Sequence, residues 1–193
     1  MTHKEHSNII LIDGEYLEFI TTDFKKSFEG IIGRNLNDID LADLIVEFAH
    51  MGGISGSNNN IEVIFIYNDK KPNLSICHPS SIPNELTDVA YADTLGEFSF
   101  RSYPTEQMVT CEEMFVDSLQ VICDSDAVKR LIVVGNNEKY GTQIKEILNK
   151  AENKIITNLS MTEPDKDSKY LSGIVAFPIM GTLGIKPEEL PQK

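Results

Sequence analysis

Apolar residues along this chain fall into two alternating patterns: short unbroken runs, and stripes at three- and four-residue steps. Residues 9–12 (Ile-Ile-Leu-Ile) are an unbroken run that stops at Asp13-Gly14, the signature of a strand buried on both faces. Leu17, Ile20, Phe24, Phe28 and Ile31 then recur on one face of a helix that Gly30 and Gly33 end. Asp38 or Asp40 caps a second helix through Met51, with Leu41, Leu44, Ile45 and Phe48 inward and Gly52-Gly53 as the stop. A polar loop over 56–60 leads to a β-branched and aromatic run over 61–67, the second strand.

Pro72, Pro79 and Pro83 break the pattern over 68–96, where residues 85–95 can hold a short helix. Residues 98–103 alternate imperfectly and predict a third strand near an edge, ended by Pro104. Thr110 with Glu113 is a capping-box pair, and the helix it starts turns Cys111, Phe115, Leu119, Ile122 and Cys123 inward. A fourth strand covers 131–134 and stops at Gly135. Asn136 or Asn137 caps the next helix, whose face carries Tyr140, Ile144, Ile147, Leu148 and Ala151. A short fifth strand begins at Ile155-Ile156, and a charged loop follows over 164–169. Strands alternating with helices predict an α/β fold, a three-layer α/β/α unit on a mostly parallel sheet of about five strands. Residues 1–193 make one domain, with 161–193 as a C-terminal tail of short helical turns that packs on the domain or on a partner.

Charge narrows the partners. Thirty Asp and Glu against 17 Lys and Arg give a net charge of −13. That counts against a DNA-binding basic patch and against general affinity for polyanions. It does not exclude a nuclease, because a bound metal reverses the local sign. Cys77, Cys111 and Cys123 form no CxxC motif and read as buried thiols in a reducing compartment. The polar N-terminus and the lack of a long apolar run argue against a membrane span, so the expected location is cytoplasmic. His3, His6, His50 and His78 show no zinc spacing, and no glycine-rich phosphate motif occurs.

In parallel sheets ligands collect beyond the carboxyl ends of the strands. The first strand delivers Asp13-Gly14-Glu15 there, and the fourth delivers Gly135-Asn136-Asn137-Glu138. Asp117, on the helix before the fourth strand, lies beside its apolar face and is either a flanking surface residue or a group turned to the strand ends. Converging carboxylates can hold Mg²⁺ or Mn²⁺, which orients a water and stabilises a leaving oxygen. The same residues also suit plainer roles: Asp-Gly as a turn, Glu15 at a helix N-terminus, Asn136 and Asn137 as caps.

Residues 9–17 (Ile-Ile-Leu-Ile-Asp-Gly-Glu-Tyr-Leu) resemble the opening of NYN domains, a branch of the PIN-like nucleases. Those domains open with an apolar strand and Asp-Gly-Glu-Asn, and later carry a helix with an acidic residue, an apolar strand and Gly-Asp-x-Asp-Phe. The spacing from Asp117 to Gly135 and the strand over 131–134 are similar, and the resemblance runs from Asn8 to Ser160. It implies Asp13 and Asp117 as catalytic carboxylates, Asp13, Asp117 and Glu138 as ligands of Mg²⁺ or Mn²⁺, and Glu15, Asn136 and Asn137 as binding positions. Two departures stand out: Asn136 replaces the first acid of the later motif, and Tyr16 replaces the opening Asn. The resemblance therefore implies either a metal-dependent ribonuclease acting on RNA or a catalytically inactive PIN-like module that binds a protein partner or a nucleotide. A phosphatase of the haloacid dehalogenase type would need Asp-x-Asp at the first strand. Asp13 follows Leu11 by two positions, and Asp13-Gly-Glu15 lacks the usual Thr or Val afterwards. Oligomeric state stays open.

Overall fold

The computed structural model describes residues 7–106, 108–163 and 167–190, so His3, His6 and positions 164–166 of the charged loop lie outside the described residues. The chain runs β1 (Asn8–Asp13), α1 (Gly14–Ile32), β2 (Ile39–Asp40), α2 (Leu41–Met51), β3 (Asn59–Tyr67), β4 (Cys77–His78), α3 (Ile82–Glu85), β5 (Ala90–Asp93) and β6 (Gly96–Pro104). It continues with α4 (Cys111–Asp124), β7 (Arg130–Val134), α5 (Asn137–Lys150), β8 (Ile155–Ser160), β9 (Leu171–Ile174), α6 (Ala176–Thr182) and a 3₁₀ turn (Pro187–Glu189). The fold is α/β, with a mostly parallel central sheet ordered β5-β6-β3-β1-β7-β8-β9 and a small second sheet pairing β2 with β4. Only β5 is antiparallel in the central sheet.

Counted in chain order, the parallel strands of the central sheet sit as third, second, first, fourth, fifth and sixth. Winding therefore reverses between β1 and β7, whose register pairs Asn8 with Arg130 and Ile12 with Val134. That reversal opens a crevice at the carboxyl ends, because the connections leaving β1 and β7 diverge. The strands also explain the core. Ile10 and Ile12 of β1 join a cluster with residues of α1, α2 and α6, whereas Ile9 and Leu11 join a second cluster with residues of α4 and α5. Side chains alternate along a strand, so an unbroken apolar run serves two cores at once.

The helices follow the predicted faces with one exception. Leu41, Leu44, Ile45 and Phe48 of α2 are buried, as are Cys111, Phe115, Leu119, Ile122 and Cys123 of α4. On α1 the stripe ends early: Phe24 and Phe28 stack with ring centroids 4.5 Å apart, but Ile31 is 56% exposed. Its neighbour Ile32 takes the core-facing place in the last turn, half-buried against the first cluster. All three cysteines are free and buried.

The expected count of five strands is too low, since the central sheet has seven. The predicted helix over 85–95 is replaced by the shorter α3 and by β5. β5 was illegible because Ala-Tyr-Ala-Asp is mostly exposed and has no apolar run; it exists as the antiparallel partner of β6. β9 is equally faint, a Leu-Ser-Gly-Ile edge strand. The described residues of the tail from Leu171 to Leu190 pack on their own domain. Val175, Ile179 and Leu183 are fully buried in the first cluster, and Arg34 grips Glu189 with Nε–Oε1 at 2.7 Å and Nη2–Oε2 at 2.8 Å. No helix among the described residues is long and apolar enough to cross a membrane.

Candidate functional site

Asp13 is the last residue of β1 and stands at the reversal point. It is also the N-cap of α1: its Oδ1 accepts from the Tyr16 backbone N–H at 3.0 Å. A Cβ on Gly14 would meet Ile82 Cδ1 at 3.1 Å and the Ile66 carbonyl oxygen at 3.3 Å, so only a small residue lets the helix start this close to β3. The Asp-Gly step is a strand running directly into a helix, not a turn between them.

Two side chains complete the carboxylate's surroundings. The Tyr140 hydroxyl donates to Asp13 Oδ2. The Cys111 thiol lies 3.3 Å from Asp13 Oδ1 and 3.6 Å from the Ile66 carbonyl oxygen, and its single hydrogen can serve one of them. Asp13 is only 4% exposed. Burial pushes its carboxyl above the ordinary range, while the Tyr140, Tyr16 and Cys111 donors pull the other way. Burial together with the Asp13 charge raises the Tyr140 hydroxyl and the Cys111 thiol. Both are held as neutral donors.

Around Asp13 lies a cleft of about 980 Å³. One wall is a stripe of α1 formed by Glu15, Glu18, Phe19, Thr22, Asp23 and Lys26. The loop after β3 (Asn68, Asp69, Lys70, Lys71) and the segment leading into α4 (Thr105, Glu106, Val109, Thr110, Cys111, Glu112) form the other, and Asn136, Lys139 and Tyr140 close one end. The caps of three helices therefore line a single cleft: Asp13 for α1, Thr110 for α4 and Asn136 for α5. Two of its lysines are already paired, Lys71 with Glu15 at 3.2 Å and Lys139 with Glu112 at 3.5 Å. Tyr16 also lines the cleft, is 3% exposed, and its hydroxyl has no hydrogen bond of ordinary geometry. Burial pushes that hydroxyl up to about 12; the nearby Met161 amide offsets this in part, and the Glu138 and Asp13 charges add to it.

Of the residues singled out from the sequence, Asp13, Glu15 and Asn136 meet in this cleft. Asn137 is turned away. It donates to the Gly135 carbonyl at 2.9 Å and accepts from Asn158 Nδ2 at 2.8 Å, beside a smaller pocket of about 380 Å³. Asp117 is exposed and outside the cleft. The reason is angular: it sits about 200° around α4 from Phe115, which faces the sheet, and about 9 Å along the axis from the N-terminal end. Glu138 is also exposed and outside the lining, although its charge reaches the Tyr16 hydroxyl. Among the described residues, no group of three or more His, Cys, Asp or Glu side chains is arranged to hold a metal ion. With Asp13 buried, a protein donor on each of its oxygens, and neither Asp117 nor Glu138 brought beside it, the described residues do not fit a Mg²⁺ or Mn²⁺ site.

The sequence reading missed Tyr140 and Cys111 as site residues because both sit on stripes that read as apolar helix faces. Their positions carried a signal nonetheless: Cys111 opens α4 and Tyr140 lies in the first turn of α5, two of the three helix starts that line the cleft. Gly135 likewise has a packing reason, since a Cβ there would lie 2.7 Å from Phe115 Cε1.

Comparison with curated proteins and with solved structures found no match. One family model matches residues 2–190, nearly the whole chain, and the protein thus belongs to the family of unknown function DUF6621.

Proposed function

We propose that this chain is a PIN/NYN-like domain, a three-layer α/β/α unit, that binds a protein partner at its carboxyl-edge cleft and does not cleave RNA. The observation that carries the reading is the state of Asp13. A metal ligand must open its oxygens to an ion, whereas this carboxylate is buried and each of its oxygens already accepts from a protein donor, Oδ2 from the Tyr140 hydroxyl and Oδ1 from the Tyr16 amide beside the Cys111 thiol. The two acids that the resemblance pairs with it, Asp117 and Glu138, lie outside the cleft. What the cleft retains is a recess within the size range of ligand pockets, placed where parallel sheets bind.

A protein partner is favoured over a nucleotide by charge. Seven carboxylates and four lysines line the cleft of a chain whose net charge is −13, and phosphate groups would enter against that field. The test incubates the purified protein with single-stranded, hairpin and duplex RNAs in Mg²⁺ and separately in Mn²⁺. No cleavage above a buffer control is expected. Cleavage that disappears in Asp13→Asn would overturn the reading and restore the ribonuclease.

A further inference from the structure

The groove wall on α1 runs from Glu15 to Lys26, a length of about 16 Å at 1.5 Å per residue. An extended segment of about five residues spans that distance. One apolar position, Phe19, stands among acidic ones along the wall. Phe19 is 58% exposed in the wall, and Val109 faces the same groove from the segment before α4, beside Met108 at 95% exposed. With Lys71 and Lys139 engaged by Glu15 and Glu112, the outward groups left in the lining include Asp23, Asp69 and Glu106 against Lys26 and Lys70. Counted over the whole lining, seven carboxylates face four lysines, and three helix N-termini at about half a positive charge each offset only part of that excess, so the sign stays negative.

We propose that this groove takes a basic, extended segment of a partner protein, about five residues long, with an apolar side chain against Phe19 and Val109 and Lys or Arg side chains at Asp23 and Glu106. Charge complementarity selects the occupant: a chain of net charge −13 with an acid-rich groove attracts a cationic segment and repels nucleic acid. An apolar anchor between charges supplies desolvated contact area, while the flanking ion pairs set orientation and on-rate. The proposal rests on the binding reading given above.

The test uses the full chain and a fluorescein-labelled peptide, Lys-Arg-Leu-Lys-Arg, in fluorescence anisotropy. The acidic peptide Glu-Asp-Leu-Glu-Asp and a labelled single-stranded RNA serve as the other arms. Saturable binding of the basic peptide is expected, weakening about tenfold or more between about 0.05 M and about 0.5 M salt. A loss of about tenfold is expected in the double variant Asp23→Lys/Glu106→Lys, and again in Phe19→Ser. These three positions are exposed, and unchanged circular dichroism melts will show that the variants remain folded. Absence of saturable binding, binding indifferent to these substitutions, or tighter binding of RNA than of the peptide would each overturn the proposal. Failure of the peptide with no RNA cleavage removes this occupant alone, whereas Asp13-dependent cleavage removes the binding reading with it.

Discussion

Tyr140→Phe deletes one oxygen and leaves the ring. Tyr140 is 2% exposed and its ring packs on Phe115 with centroids 5.6 Å apart, so the substitution opens no cavity beyond the lost atom. What changes is Asp13, which loses the donor on Oδ2. A hydrogen bond to a charged group contributes about 1.5–3 kcal/mol, and the expected loss at pH 7 is about 2 kcal/mol. The loss should depend on pH in one direction. The folded-state carboxyl of Asp13 is raised, so its contribution to stability is fully present below the ordinary value of 3.8 and is lost as pH rises through the raised value. The Tyr140 hydroxyl is one of the groups pulling that value down. Without it the value climbs further, and each unit adds about 1.4 kcal/mol of instability once Asp13 is ionised. Urea denaturation of both proteins from about pH 4 to pH 7 reads this directly, because titration of the other carboxylates is common to both and cancels in the difference. The difference should widen as pH rises. A gap that stays constant across the range, or that is under about 0.5 kcal/mol at pH 7, would refute the account of Asp13 as a buried carboxylate held by Tyr140.

Three further outcomes check other parts of the structure. Gly135→Ala places a methyl 2.7 Å from a fully buried Phe115 ring, so thermal or urea unfolding should show a loss of about 1–3 kcal/mol. Thr110→Ala removes the side chain that accepts from the Glu113 amide at 3.1 Å, with an expected cost of about 1 kcal/mol by the same measurement. Asp117→Asn should leave stability within about 0.5 kcal/mol and peptide binding unchanged, since its carboxylate is exposed and outside the cleft; a larger effect on either would move the boundary of the site.

The central elements were legible because they bury apolar side chains at fixed periods. The run over 9–12 and the stripes of α2, α4 and α5 announce themselves, as do the Thr110–Glu113 pair and the Asn136 cap. The edges were not legible, since β5 and β9 take their form from a neighbour and carry little apolar pattern of their own. The site was half legible for a related reason. Asp13 is visible as a charge at the end of an apolar strand, whereas its contacts with Tyr140 and Cys111 join residues 127 and 98 positions apart in the chain. Asp117 was legible but read as a flanking position: two residues past Phe115 it stands about 200° around α4, on the side away from the sheet, and it is exposed. The glycines were legible as breaks but not as clearances: Gly14 and Gly135 are small because Ile66 and Phe115 stand close by.

The central place of β1 has a consequence for how the chain is made. Its partner on one side, β3, follows early in the sequence, but the partner on the other side, β7, begins only at Arg130. During synthesis from the N-terminus, β1, β3 and β6 can assemble while one whole flank of β1 waits. That flank carries unpaired backbone groups along an apolar strand, and the side chains of Ile9 and Leu11 still lack the β7 and α5 residues of their cluster. A nascent or truncated chain that stops short of Arg130 therefore presents an open, sticky edge on which other chains can template.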